Sequence, residues 1–362
     1  MSLSSMGRGR RHPVGRGAAR AALLAIGVLL LAAACAGPAP SSPPPPAAGQ
    51  GAAASAAGAA APPTVRPRQT LRASYGAAIA VHTPIVAAQQ TGEWEVAGLD
   101  VEVQRIATNT SITALVAGDL DLVQVSAPAL VSADLQGGAD LVFVAGALDR
   151  MILAMYALPD INSGEDLRGK AIGTDRPGTP VAFATDLSLG RLGLTTSDVQ
   201  LLPIGTDGIV PGLAARQIVA GALTLPNSTE ALRLGAHLLV PLYDVPYQNV
   251  GLILKRADLD RLAPVLPDLL RVYRRGMERF AADEAWGKQV LSLIMATTDE
   301  SLIDEAYAFH TGPVPFTPSL RVSREGLQGV LDSLRDVLPA AATANPDQFV
   351  DHRFVDQLDA AR

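Results

Sequence analysis

The chain has 362 residues, a formal net charge of -6 and a single cysteine. One thiol leaves no partner for an internal disulfide and excludes CxxC metal or redox chemistry. The acidic balance argues against sequence-independent nucleic-acid binding, which depends on clustered lysine and arginine.

Arg8, Arg10, Arg11, Arg16 and Arg20 precede an apolar run from Ala21 to Ala34, with no acidic residue before Cys35. That run is too short for a comfortable membrane span and predicts a secretory signal over residues 1–34. Small residues lead directly into Cys35, an arrangement suited to lipid attachment at its sulfur, although Ala32 stands where such signals carry a bulky residue. An ordinary cleaved signal with an incidental cysteine is the alternative. Removing the five arginines from a net charge of -6 leaves -11. Residues 35–69, the lipidated cysteine and an Ala/Pro/Gly/Ser-rich stretch, are expected to be a disordered tether with nothing to bury. About 290 residues remain, enough for two lobes.

From Thr70 onward short strands alternate with helices. Leu71–Tyr75 reads as a strand, and Thr83 as the cap of a helix with Pro84 at its start. Asp100–Ile106 alternates as a strand does, Ser111–Val116 reads as a helix closed by Gly118, and Leu120–Val125 is a strand. Ser126 caps the next helix, Gly137-Gly138 ends it, and Leu141–Ala145 is a strand. This β-α-β-α-β run predicts a parallel sheet covered by helices.

The scheme then repeats. Strands are expected at Ile152–Tyr156, after Leu167–Gly173, at Val199–Pro203, Ile218–Leu225 and His237–Val240. Helices are expected from Gly178-Thr179-Pro180 to Arg191 and from Pro226 to Leu234. Near Val250–Leu254 the chain is expected to return to the first lobe. Apolar stripes at Leu269, Val272, Tyr273, Gly276, Met277 and Phe280, and at Leu327, Val330, Leu331, Leu334 and Leu338, predict core-facing helices. Thr297 and Glu300 can form a capping box.

Several of these segments are similar to one family. Pro84–Val101 (PIVAAQQTGEWEVAGLDV), Thr113–Val125 (TALVAGDLDLVQV), Leu167–Ile172 (LRGKAI), Glu305-Ala306-Tyr307 and Asp347–Leu358 resemble the periplasmic solute-binding proteins of the sulfonate, nitrate and thiamine-precursor (SsuA/THI5-like, NMT1) group. Two departures stand out: Ala222 sits where the family often has an aspartate, and Gly76–His82 lacks the aromatic or amide residues of several relatives. The resemblance implies an α/β chain of the type II periplasmic binding protein fold. Its lobe 1 would be residues 70–150 plus 251–362 and its lobe 2 residues 151–250, joined by two crossovers around a ligand cleft. It implies a small-molecule ligand, an ABC transporter permease as partner, a membrane association through the N-terminal lipid, and neither cofactor nor catalysis.

Ligands of such sheets sit beyond the carboxyl ends of the strands, where helix N-termini present backbone N–H groups. His82-Thr83, Ser126-Ala127 and Gly178-Thr179 are the loop-to-helix junctions that fit, and each hydroxyl also reads simply as a cap. His82 could donate to an oxyanion or stack on a ring, or be an interlobe histidine. Asn227, Asn249 and Tyr247 are further candidates, and Arg150 could meet an acidic ligand or form a hinge ion pair. No GxSxG, GxxxxGK[ST] or HExxH pattern is present, and the five histidines are scattered. A ligand sensor of the same fold is the main alternative, and a THI5-like pyrimidine-synthesis enzyme, whose cysteine-rich motif is absent here, is the other.

Overall fold

The computed structural model describes residues 68–361, so the expected signal, Cys35 and all but the last two residues of the expected tether lie outside it. The strands are β1 (Gln69–Tyr75), β2 (Leu99–Arg105), β3 (Leu122–Ser126), β4 (Leu141–Arg150), β5 (Ala154–Ala157), β6 (Ala171–Thr174), β7 (Gln200–Pro203), β8 (Ala220–Leu223), β9 (His237–Pro241) and β10 (Pro246–Lys255). They form two five-stranded sheets, ordered β2-β1-β3-β10-β4 and β7-β6-β8-β5-β9.

Neither sheet is purely parallel. β1 pairs in parallel with β2 and β3, but β10 runs antiparallel between β3 and β4. The reason is topological: β10 returns from the second sheet and enters the first from the opposite end. In the second sheet β6 is parallel to β7 and β8, while β5 is antiparallel to β8 and β9.

The longer helices are α1 (Thr83–Gln90), α2 (Thr108–Ala117), α3 (Ala127–Gly137), α4 (Pro180–Arg191), α5 (Thr206–Ala214), α6 (Asn227–Arg233), α7 (Leu266–Ala282), α8 (Glu284–Met295), α9 (Glu300–Thr311), α10 (Arg324–Leu334) and α11 (Arg353–Ala360). Sequence reading missed α5, because GIVPGL looks like a turn and Pro211 lies within it. Burial of Ile209, Val210 and Leu213 overrides that local preference. The expected capping box at Thr297 is replaced by Asp299, whose Oδ1 accepts from the Ser301 and Leu302 N–H groups at 3.0 and 3.3 Å. A carboxylate two residues on does that work better, at the positive end of the helix dipole. Leu338 lies beyond α10 and is buried all the same.

The stripe on α7 packs the helix against α1 so tightly that only glycine fits at the crossing. A Cβ on Gly276 would lie 2.6 Å from the Ala88 backbone nitrogen. Ala87 and Ala88 keep the facing side of α1 equally thin. This contact positions the loop between β1 and α1 at the strand end. A second apolar core is continuous between the two sheets, taking in Phe143 of β4 and Leu327 and Val330 of α10 together with Met155, Ile172 and Ala222 of the second sheet.

Candidate functional site

The chain crosses between the sheets twice, after β4 and before β10. Arg150 ties the two passages together, its Nη1 donating to the Asp244 carbonyl at 3.1 Å while its Nε lies 3.7 Å from Asp149. The segments after β1, β3, β6 and β8 carry most of the residues that sequence reading singled out, while Arg150 ends β4 and Tyr247 and Asn249 lie in β10.

His82 and Thr83 follow β1. Thr83 is the first residue of α1 rather than its cap: His82 occupies the cap position, and the Thr83 hydroxyl is buried with no hydrogen-bond partner among the described residues. The β1–α1 loop is short and Pro84 starts the helix early, which carries Thr83 inward. His82 is only 6% exposed, and burial lowers its pKa to about 4. Its Nδ1 lies 3.2 Å from the Gln124 amide nitrogen, and the Gln124 carbonyl oxygen accepts from the Tyr273 hydroxyl at 2.6 Å. The Tyr75 ring stands 5.8 Å from the His82 ring. Beside them, Ser74 donates to Ser111 and Ser111 to the Ile106 carbonyl, which locks the start of α2 against β1.

Ser126 ends β3, two residues beyond Gln124 and therefore on the same face of the strand. It occupies the cap position of α3 without a side-chain capping bond, so its half-buried hydroxyl is not spent on the helix. Ala127 is fully buried. Asn249 is half-buried in β10, next to Val250, which pairs with Ser126. Tyr247 is buried against Phe183 and lies 3.5 Å from the Ser333 hydroxyl.

Gly178 and Thr179 lead from β6 into α4. Thr179 is committed to the helix: it accepts from the Ala182 N–H and donates to the Arg176 carbonyl. Gly178 has φ +82° and faces Val337 so closely that a Cβ there would stand 2.2 Å from a Val337 methyl. Beside it runs a groove of about 850 Å³ between α4 and the end of α10, with Thr174, Asp175, Gly178 and Asp186 on one side and Asp332 and Asp336 on the other. Burial, with Asp336 nearby, holds the Asp186 carboxyl above the usual range.

Asn227 opens α6 and is half-buried. The loop around it lines a smaller pocket of about 240 Å³, where Thr224, Leu225 and Thr229 face Tyr243, Glu305 and Phe309. Thr229 donates to Glu305, and Arg233 donates to the Ser301 hydroxyl at 2.8 Å and sits 3.8 Å from Asp299. These bonds join α6, which follows β8 of the second sheet, to α9 and its cap, which follow β10 of the first sheet.

The structure thus joins His82 to Gln124, with Thr83 next to His82 in the chain and Ser126 two residues beyond Gln124; Asn249 neighbours Val250, the partner of Ser126. Gly178 and Thr179 lie at one junction between the lobes and the loop of Asn227 at another. Gln124 and Tyr273 were missed. The available signal was a glutamine within the apolar strand LVQVS and a tyrosine on the α7 stripe. Among the described residues no cluster of three or more His, Cys, Asp or Glu side chains is arranged to hold a metal, and no helix is long and apolar enough to cross a membrane.

Comparisons with known proteins agree with this architecture. The chain is 33% identical over 143 residues to a Brucella abortus (strain 2308) protein named as a binding protein, a stretch that is 38% of this chain and 43% of that one. Among solved structures, the periplasmic aliphatic sulphonate binding protein SsuA of Escherichia coli superposes with a TM-score of 0.65 at 17% identity, over 79% of this chain and 93% of that one. The periplasmic nitrate-binding protein NrtA of Synechocystis PCC 6803 gives 0.59 at 13% identity, over 81% and 88%. Both likenesses establish the periplasmic binding protein fold. The pattern of the family described as NMT1/THI5 like matches residues 79–284, more than half of the chain, and the protein belongs to that family.

Proposed function

We propose that this chain is an extracytoplasmic solute-binding protein that captures a small polar or anionic molecule by hinge closure and delivers it to an ABC importer. The observation that carries the reading is the pair of α/β sheets joined through two crossovers. Residues 70–150 with 251–362 would move as one lobe and 151–250 as the other, the hinge lying at the passages that Arg150 bridges. His82, Thr83, Ser126 and Ala127 would form the first wall with Asn249, and Gly178, Thr179 and Asn227 the second. The names of the sulphonate- and nitrate-binding neighbours support an oxygen-rich solute. The larger groove sets four carboxylates, Asp175, Asp186, Asp332 and Asp336, against Arg191 and Arg335, so an anion would be held chiefly by the His82 wall, with Gly178 and Thr179 closing over it. Lipid attachment at Cys35 would hold the protein at the membrane face; loss of detergent-phase partitioning in Cys35→Ser tests it.

The functional test is a thermal-shift screen of purified, ligand-free protein against sulfonates, nitrate, bicarbonate, pyrimidines, polyamines and amino acids. A solute that binds only the folded state adds about 2.7 kcal/mol of stability at 100 times its Kd. A shift with one class, abolished in Ser126→Ala, supports the reading. No shift with any class from folded, ligand-free protein rejects solute capture in favour of an interaction role.

A further inference from the structure

The chain Tyr273–Gln124–His82 decides where a proton sits. We propose that Gln124, oriented by Tyr273, is a positioning residue that fixes His82 as a neutral imidazole with its hydrogen on Nε2, so that the first wall offers the solute a hydrogen-bond donor. The inference rests on the reading of His82 as a ligand contact.

The assignment follows from donor and acceptor bookkeeping. The Tyr273 phenol is buried, and its one hydrogen bond among the described residues goes to the Gln124 side chain at 2.6 Å. If the Gln124 carbonyl oxygen takes that bond, the phenol proton is satisfied and the amide NH₂ is left facing His82 Nδ1 at 3.2 Å. An amide nitrogen does not accept, so Nδ1 must supply the lone pair and the ring proton must be on Nε2. The opposite amide orientation would let the NH₂ donate to the phenol oxygen and strand the phenol hydrogen in the core, an unmade bond that folded proteins avoid. A doubly protonated ring would set N–H against N–H, and burial independently disfavours it.

The opposite nitrogen lies beside Gly76 and Thr108 at the carboxyl end of β1. His82 Nε2 lies 3.6 Å from the position a Cβ on Gly76 would take, and that same Cβ would strike the Thr108 hydroxyl at 2.4 Å. The 3.6 Å approach to Nε2 is an ordinary contact, and it is the Thr108 hydroxyl that excludes a side chain at Gly76. A donor there suits a carbonyl oxygen, an oxyanion or an unprotonated ring nitrogen, and rejects an ammonium.

The test is ¹⁵N–¹H correlation of the imidazole nitrogens in unliganded, ¹⁵N-histidine-labelled protein at pH 7, with His82→Gln used to assign the signal. The expected pattern is a protonated Nε2 and an unprotonated Nδ1. In Gln124→Glu the carboxylate can accept from both neighbours, and the proton is expected to move to Nδ1 or the ring to become doubly protonated. In Tyr273→Phe the amide is free to turn and a mixture of tautomers is expected. A wild-type ring protonated on Nδ1, or a pattern that Gln124→Glu leaves unchanged in a protein with wild-type circular dichroism, overturns the proposal. A purely structural role for Gln124 would not move the proton. Because no ligand is present, this result is independent of the solute screen: either can fail while the other stands.

Discussion

The bonds between α6 and α9 would hold the proposed lobes together without any solute, and their strength can be put to a number. Thr229 is buried and Glu305 is exposed on its outer side, so the charge-assisted bond between them belongs near the lower end of the usual range, about 1.5 kcal/mol. The Arg233–Asp299 pair, with both side chains about half exposed, adds about 0.5 kcal/mol at most. Each 1.4 kcal/mol is a factor of ten, so Thr229→Val should shift the closed-to-open ratio of the unliganded protein about tenfold toward open. Valine keeps the shape of threonine, which isolates the lost bond from a lost methyl. Glu305→Gln retains an acceptor oxygen without the charge and should open the protein less. Small-angle scattering reads the change directly: a larger radius of gyration in Thr229→Val, an intermediate value in Glu305→Gln, and recovery on addition of any solute found in the screen. If both variants keep the wild-type secondary structure and the wild-type scattering curve, α6 and α9 do not govern closure.

Stability should fall on acidification well above the carboxylate range. His82 and His310 are both held neutral by burial, with pKa values lowered to about 4 against an unfolded value near 6.5. The unfolded chain therefore binds more protons between those limits, and stability is lost as pH falls from about 6.5 to about 4, by about 3 kcal/mol for each ring. Urea midpoints at pH 7.5 and 4.5 measure this, and His310→Phe, which keeps the stack on Phe316, should remove its share of the loss, the remainder coming from His82 and from His352, which burial also lowers; an unchanged acid slope in that variant would exclude His310 as a source. Gly276→Ala should cost roughly 1–3 kcal/mol by forcing α7 away from the Ala88 backbone, read as a lower urea midpoint with an unchanged slope. Thr83→Val should raise the melting temperature, since it replaces an orphaned buried hydroxyl by a methyl of the same size; a lower one would mean that the hydroxyl has a partner in solution.

Local rules recovered most elements of the fold because they were written locally. Gly118 and Gly138 sit in the left-handed conformation at the ends of α2 and α3, and Thr179 caps α4, all as their sequence positions suggest. Where a pairing partner lies far along the chain, the same rules mislead. The return of the chain near Val250–Leu254 is legible, but the expected sheet is parallel, and β10 enters it antiparallel. Gln124 and Tyr273 are 149 residues apart, and Thr229 and Glu305 are 76 apart. Each residue taken alone resembles core or surface, and only the packed structure sets donor against acceptor. That separation is physical. Backbone conformation is decided within a few residues, whereas the state of a buried proton depends on every polar atom sharing its cavity. Replacing Gln124 is therefore expected to leave the strand LVQVS in place and to change what His82 can offer a solute.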